Sequence, residues 1–312
     1  LDEIPSQVLE STEGFYTIKD ILRRRVLVNS YVLVTTRPHM IDYVLDGYIH
    51  YARVRILGFT TENRNKYIKS HFPDDIRSGE ALISNLDSNP SFDRLAEIPN
   101  ISQMFSIVWK NQESLPENIT ALYTKFVEVL VKRRCDNGGQ CQQRMISVLK
   151  GLGRVALNGL LHTNESRLLF DKEEFTNCIT CLDDGCHFGF LQRETFTSGL
   201  DVKEVVLFYH SSFQEYCAAY HLIHLLETDK ESFHLKLKQI KDDNVLEMET
   251  LLRFCCGQSQ KAAGLIIQHV RTLNGDALVM QTLLRLLLFE SGSNELASEL
   301  GRHRDFQCWT RE

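Results

Sequence analysis

The spacing of hydrophobic positions along the chain changes near residue 57. Before this point, short apolar runs over 31–35 and 51–57 are separated by a helical pattern over 39–45, and another helical pattern covers 17–25. Two strand-like runs joined by a helix predict neighbouring strands of a mainly parallel sheet. We therefore expect residues 1–57 to form the last part of an α/β domain rather than a complete one.

After residue 57 the apolar positions recur about every 3.6 residues, which predicts helices. These cover 60–72, 76–85, 92–95, 101–109, 119–134 and 145–161, and the polar stretch 135–143 is predicted to be a loop. A short apolar run at 168–170, a short helix from 173 and strand candidates over 188–192 and 205–209 predict a winged helix. Helical patterns fill the chain from 211 onward. The fold class is therefore mainly α with an α/β start.

Composition narrows the class of protein. The 312 residues are 43% hydrophobic and carry a formal net charge of −6, which argues against a general nucleic-acid binder because phosphate contacts need clustered Lys and Arg. A winged helix can bind DNA, but the helix predicted over 211–226 carries Glu215 and neither Lys nor Arg. No apolar run approaches the ~20 residues of a membrane span. We expect two to four subdomains and no nucleic-acid partner.

The ends and the cysteines point to a cytosolic fragment. The chain begins Leu1-Asp2-Glu3-Ile4-Pro5, without a methionine or the basic and apolar regions of a signal peptide, so we expect it to be cut from a longer protein. Its nine cysteines are odd in number and show no regular pairing, which favours a reducing compartment.

Two chemical alternatives rest on cysteine and histidine. The spacing Cys178-x2-Cys181-x4-Cys186-His187 is close to that of a zinc knuckle, but the first two cysteines fall at the end of a predicted short helix. A cysteine protease needs a thiolate beside a histidine, and no local signature supports one among nine cysteines and eleven histidines. Neither alternative is favoured.

The segment 208–220 carries the strongest functional signal. A strand-like run leads into His210, a serine pair that can cap a helix follows, and then comes a helix with Phe213, Gln214 and Glu215 at its start. This order and spacing resemble the winged-helix segment of the NOD-like receptors, which are NACHT-type switch ATPases. The resemblance implies that His210 contacts a bound nucleotide, whereas a lone histidine in an apolar setting is otherwise usually a core residue.

Four further landmarks resemble the same family in order and spacing. Asp2 and Glu3 are similar to the end of its extended Walker B motif, where the acidic groups hold Mg²⁺ and orient water. Arg37, followed by Pro38 at the end of a predicted strand, resembles its sensor arginine. The sequence 57–60 resembles the entry to its first helical domain. Pro99 matches the proline that packs on the adenine ring, although Asn100 stands where many members have a larger apolar residue.

The resemblance covers essentially the whole chain and implies its organisation. It implies the end of a P-loop-type nucleotide-binding α/β domain over 1–57, a first helical domain over 58–115, a winged helix over 116–226 and a second helical domain over 227–312. The implied cofactors are ATP or ADP, held by Arg37, Pro99 and His210, and Mg²⁺ held indirectly by Asp2, with Asp2 and Glu3 as catalytic residues.

The resemblance also implies partners and a limit. The implied activity is an oligomerisation switch in innate immunity, with self-association through the nucleotide-binding module and with leucine-rich repeats and an effector domain elsewhere in the full chain. These 312 residues contain no Gly-x4-Gly-Lys-Ser/Thr phosphate loop, so we expect them to be inactive alone. The alternative is a helical interaction scaffold whose nucleotide site is degenerate even in the full protein.

Overall fold

A computed structural model describes residues 20–21, 23–33, 52, 54, 56–134, 138–162, 167, 169–198 and 201–301. The predicted site residues Asp2, Glu3 and Arg37 lie outside these ranges. The chain divides into two compact units, Leu1–Leu57 and Gly58–Glu312.

The described part of the first unit does not contain the predicted parallel sheet. Residues 20–21 are helical, 23–30 form turns and bends, and 31–33 have no regular secondary structure. Tyr31 and Leu33 are fully or almost fully exposed, as are Val54 and Ile56. An apolar run forms a strand only where neighbouring strands pair with its backbone, and none of the described residues of this unit supplies such a neighbour.

The second unit begins with four helices: α1 (Thr61–Ser70), α2 (Ile76–Asp87), α3 (Pro90–Leu95) and α4 (Pro99–Gln112). All four were predicted. Thr60 caps α1 by accepting a hydrogen bond from the Asn63 amide, as Thr does at helix starts. In their core the Arg64 guanidinium is fully buried and pairs with the carboxylates of Asp87, at 2.6 Å, and Asp93.

Two long helices follow, α5 (Ile119–Arg134) and α6 (Gly138–Leu160). The prediction for α5 is confirmed, including its basic last turn. The predicted loop over 135–143 was wrong from Gly138 onward, because α6 begins there. Gln142, Gln143 and Arg144 are exposed, and such residues favour helix without adding an apolar stripe. Apolar spacing therefore detected α6 only from Met145.

A small antiparallel sheet follows. Its elements are β1 (Leu169–Asp171), a 3-10 helix (Lys172–Cys178), α7 (Ile179–Phe188), β2 (Leu191–Ser198) and β3 (Asp201–Phe208), with strand order β1-β3-β2. Phe170 pairs with Val206 and Leu191 with Phe208. The strand candidate at 188–192 was placed too early because α7 continues to Phe188. Gly189, in the left-handed region at φ +83°, ends that helix.

Six helices complete the described chain: α8 (Ser211–Thr228), α9 (Lys230–Leu237), α10 (Glu249–Gln258), α11 (Gln260–Val270), α12 (Ala277–Ser291) and α13 (Asn294–Gly301). The mainly α prediction is confirmed. Helix α8 packs against α6 so closely that a Cβ added to Gly153 would lie 2.2 Å from the Cys217 carbonyl oxygen. Because α8 is buried at most positions of its first half, it is a core helix rather than an exposed reading helix. No helix in the described ranges is long and apolar enough to cross a membrane.

Candidate nucleotide site

His210 stands at the junction of β3 and α8. Its backbone is extended, its side chain caps the helix, and its Nδ1 accepts a hydrogen bond from the Ser212 amide at 3.2 Å. The imidazole is exposed. The histidine predicted to contact nucleotide is therefore not a core residue: its backbone is fixed by the strand and the helix, and its ring lies at the surface.

Two hydroxyl groups, those of Tyr123 and Ser212, link the His210 imidazole to the buried core. The buried Tyr123 hydroxyl on α5 donates a hydrogen bond to Ser212 Oγ, and Ser212 Oγ lies 2.6 Å from His210 Nδ1. Burial raises the pKa of Tyr123 well above its usual value, so this phenol remains a neutral donor. Its ring packs against Phe213 and Phe254. The ring position of His210 is thus set by the aromatic core.

These contacts also set the tautomer of the imidazole. Nδ1 accepts from the Ser212 amide, so in the neutral ring the proton lies on Nε2. A neutral imidazole with this tautomer carries one N–H donor, at Nε2. Such a donor can bind a phosphate oxygen without requiring a positive charge on the histidine.

Pro99 begins α4 and is exposed. Proline suits this position because its missing N–H is not needed in the first turn. The next residue, Asn100, has its side-chain Nδ2 buried without a hydrogen-bond partner in the described part of the chain. An unpartnered buried amide costs free energy, so this nitrogen is a donor available to a polar ligand or to water.

The segment 58–59 lies directly beside the start of α4. The Phe59 amide donates to the Glu97 carbonyl at 2.7 Å. Its ring packs on Tyr67 with centroids 5.0 Å apart, and Tyr67 in turn packs on His71 at 4.6 Å. From the sequence, residues 57–60 are predicted to enter a helical domain and to have no chemical role. The structure adds a half-buried aromatic cluster, Phe59, Tyr67 and His71, next to the predicted adenine proline.

Tyr209 connects this cluster to the His210 segment. Its hydroxyl donates to Gln103 Oε1 across 3.5 Å, and Gln103 lies one helical turn after Pro99. Burial, and secondarily the neighbouring Tyr209, raises the pKa of Tyr67. Tyr209 therefore approaches both α1 and α4. The structure brings together the immediate neighbours of Pro99 and His210, which are 111 positions apart in sequence.

Gly58 is required for this arrangement. Its φ is +96°, and a Cβ at this position would lie 2.7 Å from the Glu97 carbonyl oxygen. We expect Gly58→Ala to lower the free energy of unfolding by roughly 2–3 kcal/mol, combining the cost of the left-handed backbone with the clash. Urea denaturation of the 312-residue chain measures this effect.

Gly189→Ala is the matched control for that substitution. Gly189 also has a positive φ, +83°, but nothing lies within 4 Å of its added Cβ. Gly189→Ala should lower the free energy of unfolding by about 1 kcal/mol, which is the cost of a left-handed backbone without a steric clash. Equal destabilisation by the two substitutions would show that the approach of Gly58 to Glu97 does not contribute to stability.

The described residues fit part of a bound nucleotide. Pro99 and the adjacent aromatic cluster offer an apolar surface for a base, Asn100 carries a buried amide nitrogen, and His210 offers an exposed imidazole. The carboxylates predicted to hold Mg²⁺, Asp2 and Glu3, lie outside the described ranges, as does Arg37. Within the described ranges no group of three or more His, Cys, Asp or Glu side chains converges as a metal site.

The three cysteines whose spacing resembles a zinc knuckle lie at and within helix α7. Cys178 precedes α7, while Cys181 and Cys186 lie on α7 and are half-buried. Burial first, and the neighbouring Cys181 second, raises the pKa of Cys178 to about 12. A thiol of that pKa is a poor metal ligand and a poor nucleophile.

Comparison with known proteins confirms the resemblance to NACHT proteins. No protein-family model matches the chain. It is 26% identical over 229 residues to NACHT, LRR and PYD domains-containing protein 3 of Macaca mulatta, which covers 71% of this chain and 21% of that protein. It is 28% identical over 254 residues to the corresponding protein 10 of Mus musculus, covering 78% of this chain and 36% of that protein. The chain thus spans about a fifth to two fifths of these relatives.

Proposed function

We propose that this chain is the second half of a nucleotide-controlled oligomerisation switch of the NOD-like receptor type, acting in innate immunity in the cytoplasm. The observation that carries the proposal is the position of His210: Ser212 engages its Nδ1, the residue is exposed at the strand–helix junction, and the adjacent Tyr209 reaches the helix that Pro99 begins. A histidine that only filled space would not need an anchor through Ser212 to Tyr123.

The described fold supports the domain boundaries that the resemblance implies. Helices α1–α4 correspond to a first helical domain over 58–115. Helices α5 and α6, the three-stranded sheet with α7, and all but the last two residues of α8 fall within a winged helix over 116–226, and α9–α13 fall within a second helical domain over 227–312. Residues 1–57 would supply the end of the nucleotide-binding α/β domain.

Each residue would have a separate role in the two states. In the closed state Pro99 would pack on the base of ADP, and the Nε2–H of His210 would donate to a phosphate oxygen. Asp2 would hold Mg²⁺ indirectly, Asp2 and Glu3 would orient water, and in the open state Arg37 would bind the additional phosphate of ATP. When ATP replaces ADP, His210 loses its contact and Arg37 gains one. The winged helix is then released and uncovers the surface for self-association.

The switch requires a difference in affinity between the two states. A nucleotide shifts the equilibrium only by as much as it binds one state better than the other. A single hydrogen bond to a charged group contributes about 1.5–3 kcal/mol, whereas moving the population from 1:99 to 99:1 needs about 5.5 kcal/mol. His210 alone is therefore insufficient, and Arg37 must contribute to the opposite state.

The names of the relatives suggest which domains the full protein has outside these 312 residues. They contain leucine-rich repeat and PYD domains, and we place leucine-rich repeats and an effector domain elsewhere in the full protein. A second function is a helical interaction scaffold with a degenerate nucleotide site.

Calorimetry with ADP separates the two functions. The 312-residue chain alone should bind ADP with a Kd above about 1 mM, because it has no amide cradle for the phosphates. The longest natural chain that contains these residues should bind micromolar ADP or tighter if it carries a phosphate loop. Tight binding by the 312 residues alone would contradict the proposed division of the site. A full chain that neither has the loop nor binds ADP would establish the scaffold.

A further inference from the structure

A cavity of about 460 Å³ opens among α5, α6, α8 and α10. Its volume is within the range of small-molecule sites. The part of α8 that lines it, 220–227, begins ten residues after His210, which is about 15 Å along a helix. The cavity is therefore separate from the candidate nucleotide site.

Two ammonium groups give the cavity a positive charge. Lys125 and Lys150 line it, and Glu227 is the one acidic side chain among the lining residues. Lys150 makes no ion pair within the described ranges, while Lys125 pairs with Glu128 across 3.0 Å at a half-exposed position. The lining side chains have a formal charge of +1, but Glu128 offsets Lys125. Lys150 is the ammonium group of the lining without a carboxylate partner in the described ranges, and it favours an anion beside it.

Two buried polar atoms at the cavity also lack partners. Gln258 Nε2 and His224 Nδ1 are buried and make no hydrogen bond to the described residues, and both residues line the cavity. The amide nitrogen of Gln258 is a donor only, and the histidine nitrogen can donate when its ring carries the proton there. An unpartnered buried donor is unfavourable. Rotation of the two side chains toward the cavity would let a bound anion accept from both.

The remaining lining residues accommodate the rest of an organic molecule. Ile223 and Ala121 offer apolar contact, and Tyr220 offers a ring and a hydroxyl beside Thr124. Gly257 lets α10 approach α5, since a Cβ there would lie 2.3 Å from Thr120 Oγ1. The wall between these two helices is consequently tight. The lining is thus mainly polar, with Ala121 and Ile223 as its aliphatic side chains, and it suits a small anion better than a large apolar ligand.

We propose that this cavity binds a small organic anion, with its phosphate or carboxylate group held by Lys125, Lys150 and Gln258 and its apolar part against Ile223 and Ala121. The ligand would join α5, α8 and α10. By binding only the packed arrangement of these helices, it would stabilise that arrangement by mass action. The site does not depend on the nucleotide site.

Histidine-resolved NMR tests the proposal on the 312-residue chain. Sodium pyrophosphate and sodium citrate are titrated separately at constant ionic strength, up to about 10 mM. The ring signal of His224 should move and saturate with at least one of them, while those of His71 and His210 keep their positions. Stronger binding of pyrophosphate would identify a phosphate ligand, and stronger binding of citrate a carboxylate ligand.

Substitution then assigns the site. Lys150→Met should weaken binding about tenfold to hundredfold, because it removes a charge-assisted hydrogen bond. Lys261→Met is the matched control, since Lys261 is exposed on α11 and does not line the cavity. Gln258→Leu provides a second variant should Lys150→Met fold poorly. The proposal fails if neither anion gives a saturating His224 shift, or if Lys150→Met and Gln258→Leu bind as well as the Lys261→Met control.

Discussion

Glu290→Ala is expected to lower the free energy of unfolding by about 3–5 kcal/mol, which is the usual effect of removing one partner from a buried ion pair. The Glu290 side chain is fully buried in α12. One carboxylate oxygen accepts from the amide and the hydroxyl of Thr120, both at 2.7 Å. The other accepts from the Arg253 guanidinium at 3.2 and 3.3 Å.

The size of that effect follows from what remains after the carboxylate is removed. The Arg253 side chain is only 14% exposed and would be left as a largely buried cation, with Glu249 at 3.4 Å as its other carboxylate. The Thr120 amide would be left without its acceptor. Both groups would then bear the cost of unsatisfied burial. Helix α12 would also lose its charged contact with α5 and α10.

Urea denaturation of the 312-residue chain measures this loss, with Glu247→Ala as the control. Glu247 is exposed, and exposed substitutions usually change stability by less than about 0.5 kcal/mol. Glu290→Gln should fall between the two, since it keeps an acceptor for Thr120 but leaves Arg253 without its buried counterion. A loss below about 1 kcal/mol for Glu290→Ala would show that the interaction is not important for the packing of these helices.

His210→Asn is expected to increase self-association of the full natural chain in the presence of ADP. Asparagine is among the best capping residues, so the start of α8 and the stability of the fold should be retained within about 0.5 kcal/mol. Its side chain cannot present an N–H at the position of Nε2. The substitution therefore removes the proposed phosphate contact without removing the cap.

His210→Ala separates the two roles of the residue. It removes both the cap and the contact, so it should also lower stability by about 1 kcal/mol. Light scattering on size-exclusion chromatography measures the oligomeric state, and thermal denaturation measures the fold. If His210→Asn remained as monomeric as the unsubstituted chain, the scaffold would be favoured over the switch.

The sequence predicted elements where apolar spacing was the dominant signal. The apolar stripe from Ile119 to Val131 located α5, and the apolar spacing over 101–109 located α4. The polar start of α6 was missed because its glutamines are exposed. Residues 31–33 had strand-like composition but are exposed and irregular, because strand formation depends on neighbouring strands rather than on composition alone.

The sequence predicted the local position of His210 but not the distant residues that contact it. The local sequence placed His210 between a strand and a helix, and the structure confirms that position. Its anchor through Ser212 to Tyr123 spans 89 positions, and the contact of Tyr209 with Gln103 spans 106. No local pattern specifies which distant side chains will meet. Such partners follow only from the packing of α4, α5 and α8 around β3.

The proposed role of His210 is tested most directly by the affinity of the full natural chain for ADP, measured by calorimetry with and without His210→Asn. Loss of one hydrogen bond to a charged phosphate corresponds to about 1.5–3 kcal/mol, and therefore to a Kd roughly tenfold to hundredfold higher. The proposed switch predicts that increase, with unchanged thermal stability of the nucleotide-free protein. Equal Kd values for ADP in the two proteins would contradict it.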